Sequence, residues 1–194
     1  MRRLALPLLL IAVGLGALAT ALYVALAPPS RPVLATAAIG GPFQLVSQDG
    51  KSVTERDFLG APHLVFFGFT HCPDVCPTKL FEISEVFRAM GERGKAVKAL
   101  FITVDPERDT PEAMKAYVAS FDPRIVGLTG SRESVDNVVR AYRAYAKKVP
   151  LKDGDYTMEH TALVYLMDKN GRFAGSLNLE RPPEQAAQDL LRLL

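Results

Sequence analysis

Two largely apolar runs limit the folds open to this chain more than any other feature. They are HLVFFGF over residues 63–69 and VKALFITV over residues 97–104. Largely apolar runs of this length, rich in aromatic and branched residues, are typical of strands buried on both faces of a sheet. Each run is followed by a segment with helical signals, so the sequence predicts a parallel β-α-β-α half with helices packed on the sheet.

The segments after the two runs carry those helical signals. PTKLFEISEVFRAM, starting at Pro77, has apolar residues at helical spacing and ends at Gly91 or Gly94. The second segment has Thr110 in the N-cap position and Pro111 in the first turn, where proline is tolerated. The sequence therefore predicts one amphipathic helix after each buried strand.

The C-terminal half completes the predicted fold. A shorter strand over residues 124–130 precedes a third helix capped by Ser131, and the polar, aperiodic stretch 149–159 is expected to be a mobile loop. TALVYLMD and RFAGSLN flank KNG, which predicts a hairpin over residues 161–178, and a last helix opens at Arg181. This order predicts an α/β, thioredoxin-like sandwich of the glutaredoxin/peroxiredoxin type, with a central mixed β-sheet flanked by helices.

The N-terminus contains an uncharged apolar run over residues 4–27, preceded by Arg2 and Arg3. At about 1.5 Å per residue, a helix of this length crosses a hydrocarbon core of roughly 30 Å. The run is longer than the apolar region of a secretory signal, although ALA at residues 25–27 leaves cleavage open. The two arginines are expected to stay in the cytoplasm, which places the rest of the chain outside it.

These features predict three parts of the chain. Residues 1–27 form an N-terminal transmembrane anchor, residues 28–40 a Pro/Ala-rich linker, and residues 41–194 one domain. The segment lacks the character of an organelle transit peptide, so the expected location is the periplasmic side of a bacterial cytoplasmic membrane, with a single pass. The +2 net charge comes from 23 basic and 21 acidic residues spread along the chain, which disfavours nucleic-acid binding.

Both cysteines of the chain, Cys72 and Cys76, lie in one short stretch between the first buried strand and its helix. A disulfide is natural in an exported domain, but a bridge across four positions restrains the unfolded chain only weakly. A pair this local is better suited to redox switching or to sharing a metal ion. The N-terminus of a helix favours anions, so at least one thiol is expected to ionise more readily than a free cysteine.

Three histidines are candidates for a third metal ligand: His63, His71 and His160. His63 opens the buried strand and is expected to be a packing residue, and His71 is a poor candidate because it directly precedes Cys72. In a thioredoxin-like fold the residue entering the first strand of the antiparallel hairpin lies beside the cysteine-bearing helix, and His160 occupies that position. Two thiolates and one imidazole suit copper, since structural zinc requires four protein ligands.

Three separated blocks carry a family resemblance. FFGFTHCPDVCPTKL, FITVDPERDTPEAMKAYV and YTMEHTALVYLMDKNGRF, together with the apolar N-terminus, resemble the Sco/SenC family of membrane-anchored copper proteins. The resemblance implies a thioredoxin-like fold that binds copper, as Cu(I) and/or Cu(II), through Cys72, Cys76 and His160. It also implies a role in assembling the binuclear copper centre of cytochrome c oxidase subunit II, with a periplasmic copper donor or a thioredoxin-like reductant as further partners.

The family pattern includes the VDPERDTPE block, which contains Asp105 and Asp109. One interpretation is that these carboxylates tune the electrostatics of the metal site or of a partner surface. The other is that Asp109 helps Thr110 to cap the following helix.

Four functions remain open for the cysteine pair. A metallochaperone would use both thiols and His160, whereas a thiol–disulfide oxidoreductase would use Cys72 and Cys76 without the histidine. A peroxidase is a third hypothesis, because DVCPT resembles the VCPT of peroxiredoxins, although Phe69 and Pro73 stand where those enzymes place a threonine. The fourth is a purely structural disulfide.

Overall fold

The computed structural model of this 194-residue chain describes residues 14–18, 20, 23, 38–152 and 154–194. Its contacts divide the chain into two units, Met1–Ala37 and Ala38–Leu194. Residues 14–18, 20 and 23 of the first unit are helical. Most of the predicted anchor and linker lies outside the described residues, and no helix within the described part is long and apolar enough to cross a membrane.

In the residues that the structure describes, the second unit contains nine strands: β1 (Gln44–Ser47), β2 (Ser52–Thr54), β3 (His63–Gly68), β4 (Lys98–Thr103), β5 (Ile125–Thr129), β6 (Ala146–Pro150), β7 (Tyr156–His160), β8 (Val164–Met167) and β9 (Phe173–Ser176). Seven of them form a mixed sheet in the order β2-β1-β5-β4-β3-β8-β9, and β6 and β7 form a separate two-stranded ribbon. β3 pairs with β4, and β4 with β5, in parallel, whereas β8 and β9 add an antiparallel hairpin beside β3.

Four α-helices flank this sheet, which confirms the predicted fold class of the domain. They are α1 (Val75–Met90), α2 (Pro111–Val118), α3 (Arg132–Ala141) and α4 (Pro183–Leu191), with short 3₁₀ turns at Glu55–Phe58 and Gly91–Gly94. The Thr110 hydroxyl accepts a hydrogen bond from the Ala113 amide at the start of α2, and the Ser131 hydroxyl accepts one from Ser134 at the start of α3. Both predicted N-caps are therefore confirmed.

The core lies along the two central parallel strands. Every residue of β3 is buried, as is every residue of β4 except Lys98, which confirms the burial predicted for both apolar runs. The ring of Phe66 stacks on that of Phe101 at 6.0 Å, and Phe101 stacks in turn on Tyr117 of α2 at 5.6 Å. This aromatic row runs below the loop that carries the cysteines.

Two parts of the domain differ from what the sequence suggests. The sequence does not predict the strands β1 and β2, because they are short and carry no apolar run. The mobile loop predicted over residues 149–159 is wrong for most of that stretch. β6 and β7 pair from Ala146 with His160 to Pro150 with Tyr156. A two-stranded ribbon needs no regular apolar alternation, because its main-chain ladder and a few packed side chains hold it.

Candidate metal centre

Gly68, the last residue of β3, brings the backbone directly beneath the second cysteine. A Cβ atom at this position would lie 2.5 Å from Cε2 of Phe101 and 2.9 Å from Sγ of Cys76. Both separations are shorter than real carbon contacts allow, so only glycine fits without displacement of these neighbours. The close approach holds the Cys76 sulfur against the aromatic row of the core.

We therefore expect Gly68→Ala to destabilise the protein by about 1–3 kcal/mol, the usual cost of overpacking a core. Denaturant unfolding measures this change in the free energy of unfolding. Gly41→Ala is the matched control, because its added methyl carbon would meet nothing closer than Cβ of Ala141 at 3.7 Å. An equal loss of stability in the two variants would contradict the steric argument.

The two cysteines are both free thiols, Cys72 in the loop before α1 and Cys76 in its first turn, and their surroundings differ. Cys76 is fully buried and Cys72 is partly exposed. The Cys76 amide donates a hydrogen bond to Sγ of Cys72 at 3.4 Å. Burial raises the pKa of the Cys76 thiol well above its ordinary value. This thiol therefore ionises less readily than a free cysteine, the opposite of what a helix N-terminus alone would produce. The removal of the thiolate from water outweighs the favourable field of the helix terminus there.

His160 is the last residue of β7, and its ring reaches the cysteines. Its Nε2 lies 3.5 Å from Sγ of Cys76, and its Nδ1 lies 3.1 Å from the carbonyl oxygen of Thr161. When the ring proton is on Nδ1, this N–H donates a hydrogen bond to the Thr161 carbonyl oxygen, and the lone pair of Nε2 faces the Cys76 sulfur. Phe66 and Phe69 contact the imidazole edge-on. Burial lowers the pKa of His160, so the ring is neutral near pH 7, the form that binds metals.

The other two histidines behave as the sequence suggests. His63 is buried at the start of β3 and its ring lies 6.4 Å from that of Phe58, in agreement with a packing role. His71 is exposed, and its Nδ1 lies 3.1 Å from the Thr70 hydroxyl. Neither ring joins the cysteine pair, so only the third histidine approaches the sulfurs.

Cys72, Cys76 and His160 form a cluster with the chemistry of a metal site. Their three donor atoms all lie within 4.8 Å of one another, and no other such cluster of three occurs among the described residues. A three-coordinate ion with bonds of the length that zinc makes, about 2.3 Å to sulfur and 2.0 Å to nitrogen, requires donor atoms about 3.7–4.0 Å apart. The cluster therefore needs only small side-chain adjustments to hold one ion.

The two aspartates of the VDPERDTPE block lie deeply buried near this cluster. Asp109 accepts hydrogen bonds from the amide and the hydroxyl of Thr70 and from the hydroxyl of Thr103, while Thr110 caps α2 by itself. The capping role considered for Asp109 is therefore wrong. Asp105 accepts hydrogen bonds from Arg108 and from the Tyr156 hydroxyl.

Four residues of this network were missed in the sequence: Thr70, Thr103, Arg108 and Tyr156. Arg108 lies within the aspartate block and Thr103 directly precedes it. Thr70 and Tyr156 lie two and four residues before the candidate ligands Cys72 and His160.

Comparison with protein families matches residues 32–194 to SCO1/SenC. The chain belongs to the SCO1/SenC family. The match spans the whole sheet, the cysteine loop and the histidine ribbon, and it confirms the resemblance carried by the three sequence blocks.

Individual SCO relatives agree with this assignment. The structure of Bradyrhizobium japonicum ScoI with copper bound is 63% identical, covers 81% of this chain and 100% of that chain, and superposes with a TM-score of 0.78. A SCO2-like protein of Rickettsia conorii is 33% identical over 187 residues, which are 92% of this chain and 90% of the relative. The mitochondrial SCO1 homolog 1 of Arabidopsis thaliana is 44% identical over 143 residues, 73% of this chain but 43% of the plant protein. The chain thus spans less than half the length of that relative.

Proposed function

We propose that this chain is a copper chaperone that helps to assemble the binuclear copper centre of cytochrome c oxidase subunit II. The observation that supports the proposal is the proximity of three possible metal ligands from two separate segments of the chain. The donor atoms of Cys72, Cys76 and His160 all lie within 4.8 Å of one another. The copper-bound ScoI relative, at 63% identity, supports copper as the metal that this set would carry.

The donor set favours copper on chemical grounds as well. Thiolates are soft ligands that select Cu(I), and imidazole also suits Cu(II), so either oxidation state can be held. Three protein ligands leave the ion open to a further donor, and both Cys72 and His160 are partly exposed. An acceptor thiolate can therefore reach the ion and replace the chaperone's ligands one at a time.

The proposed location follows from the N-terminal sequence. Residues 1–27 would anchor the chain in the bacterial cytoplasmic membrane, residues 28–40 would link it, and residues 41–194 would form the copper-binding domain on the periplasmic side. The uncharged run over residues 4–27 behind two arginines supports this arrangement. A periplasmic copper donor and a thioredoxin-like reductant are the further partners proposed.

Titration of the reduced protein with Cu(I) against a competing chelator tests the chaperone function. We expect one copper per chain in the wild type, and an affinity at least about tenfold lower for His160→Ala, because losing one donor costs more than about 1.4 kcal/mol. His71→Ala is the matched control, since it removes an exposed imidazole from the cysteine loop and should leave affinity unchanged. Wild-type affinity in His160→Ala would contradict the proposal.

A second candidate is a thiol–disulfide oxidoreductase, which the unequal exposure of the two sulfurs favours. The partly exposed Cys72 thiolate would attack a partner disulfide and release one partner thiol, and the mixed disulfide would then be attacked by Cys76. The partner gains two electrons and two protons, and the chain is left with a Cys72–Cys76 disulfide. Reduction of a disulfide-bonded peptide that survives His160→Ala, with copper affinity also unchanged, would favour this function over the first.

A further inference from the structure

The turn between β4 and α2 contains two carboxylates that are removed from water. Asp105 and Asp109 are each 0% exposed. Burying a carboxylate is costly unless hydrogen bonds satisfy it, so each must have partners that hold it in place. For each carboxylate, one of those partners lies on a segment that carries a candidate copper ligand.

Asp109 is bonded to the cysteine loop. One carboxylate oxygen accepts from the Thr70 hydroxyl at 2.6 Å, and the other accepts from the Thr70 amide at 3.1 Å. Thr70 precedes Cys72 by two residues, between the end of β3 and the start of α1. The carboxylate therefore restrains the backbone just where the chain turns into the first thiol.

Asp105 is bonded to the histidine strand. Its Oδ1 accepts from the Tyr156 hydroxyl at 3.0 Å, and its Oδ2 accepts from Nε of Arg108. The Arg108 guanidinium lies 3.8 Å from the centre of the Tyr156 ring and donates to the Tyr156 carbonyl at 3.1 Å. Tyr156 and His160 are four positions apart in β7, and residues at even spacing share one face of a strand. The contacts thus anchor the same face that presents the imidazole.

Thr103, at the end of β4, links the Asp109 carboxylate to the backbone of Asp105. Its hydroxyl donates to Asp109 and accepts from the amide of Asp105 at 2.8 Å. It is itself fully buried. A displacement of the Asp109 carboxylate would therefore disturb the backbone of the turn that carries Asp105.

We propose that Asp105 and Asp109 are positioning residues that hold the two ligand-bearing segments in register before copper arrives. Asp109 positions the cysteine loop through its hydrogen bonds with Thr70. Asp105 positions His160 through its hydrogen bond with the Tyr156 hydroxyl on the same strand. The proposal rests on the copper-binding function proposed above. Cys76 and His160 are 84 residues apart in sequence, so a preformed arrangement avoids the entropy cost of ordering the ligands when the metal binds. Partners of this kind typically change metal affinity by about 10–100-fold.

A double-mutant cycle tests the Asp105 half of the proposal. Tyr156→Phe removes the hydroxyl that reaches Asp105 but keeps the ring against Arg108. In the full-length chain we expect it to lower Cu(I) affinity by about tenfold. In a His160→Ala background, where the cysteines still bind Cu(I), the same change should have no effect, because Tyr156 acts through the missing imidazole. If Tyr156 only stabilised the fold, Tyr156→Phe would weaken Cu(I) binding equally in both backgrounds. That result would overturn the proposal.

Two further variants complete the test. Thr70→Val removes the hydroxyl bonded to Asp109, and its loss of affinity should persist in the His160→Ala background because it acts through the cysteines. Tyr145→Phe removes a phenol hydroxyl from an exposed ring at the start of the same ribbon and should bind copper as the wild type does. Unchanged affinity in both Tyr156→Phe and Thr70→Val would overturn the proposal, whereas failure of the wild type to bind copper would instead refute the proposed function.

Discussion

Replacing Cys76 by serine is expected to lower the affinity for Cu(I) by about 10²–10³-fold. Structural zinc sites with four ligands bind with roughly 10–16 kcal/mol, or about 2.5–4 kcal/mol per ligand, and a hydroxyl is a poor substitute for a thiolate toward a soft ion. Sγ of Cys76 also lies 3.5 Å from Nε2 of His160, so the substitution removes a sulfur donor that contacts the imidazole.

Competition with a Cu(I) chelator measures this loss. Val75→Ala is a suitable control, because the neighbouring side chain is 43% exposed and carries no donor atom. The domain should remain folded, since serine is smaller than cysteine and its hydroxyl would lie near the Cys72 sulfur. Circular dichroism and thermal unfolding check this point. A Cys76→Ser protein that is folded and binds copper with wild-type affinity would show that Cys76 is not a ligand.

The central strands and the helix starts were predictable because their signals are local. β3 and β4 follow from two apolar runs, and the starts of α2 and α3 follow from Thr110 and Ser131. The approach of His160 to the cysteines was also predictable, since the order of strands and helices determines which ends of the sheet meet. The sequence predicts that the imidazole lies beside the two thiols, but it gives no distance between their donor atoms.

The remaining features depend on contacts between distant segments. The ribbon of β6 and β7 lacks a regular apolar pattern, and part of its support comes from Arg108, 48 residues before Tyr156 in sequence. The bonding of Asp109 to Thr70 spans 39 residues and replaces a local cap that looked equally plausible. The raised pKa of Cys76 has the same origin, because burial under β3 outweighs the local effect of the helix terminus.

Copper affinity is expected to fall by about 100-fold between pH 8 and pH 6 from the protonation of Cys76 alone. Burial raises the pKa of this thiol well above its ordinary value, so the metal-free protein holds the proton throughout this range. Cu(I) binds the thiolate and must release that proton, so the apparent association constant changes tenfold for each pH unit. Burial lowers the pKa of His160, so the imidazole is already neutral over most of the range and adds little to the slope.

Chelator competition at pH 6, 7 and 8 measures the slope, with the chelator's own pH dependence calibrated separately. The Cys76→Ser variant is the matched control, because it removes the thiol that carries this proton and should reduce the slope by about one proton per copper. Acid would weaken binding, and alkali would strengthen it, until the thiol ionises in the metal-free protein. An affinity that does not change between pH 6 and pH 8 would mean that the Cys76 thiol is already ionised, and that the helix terminus prevails over burial at this sulfur.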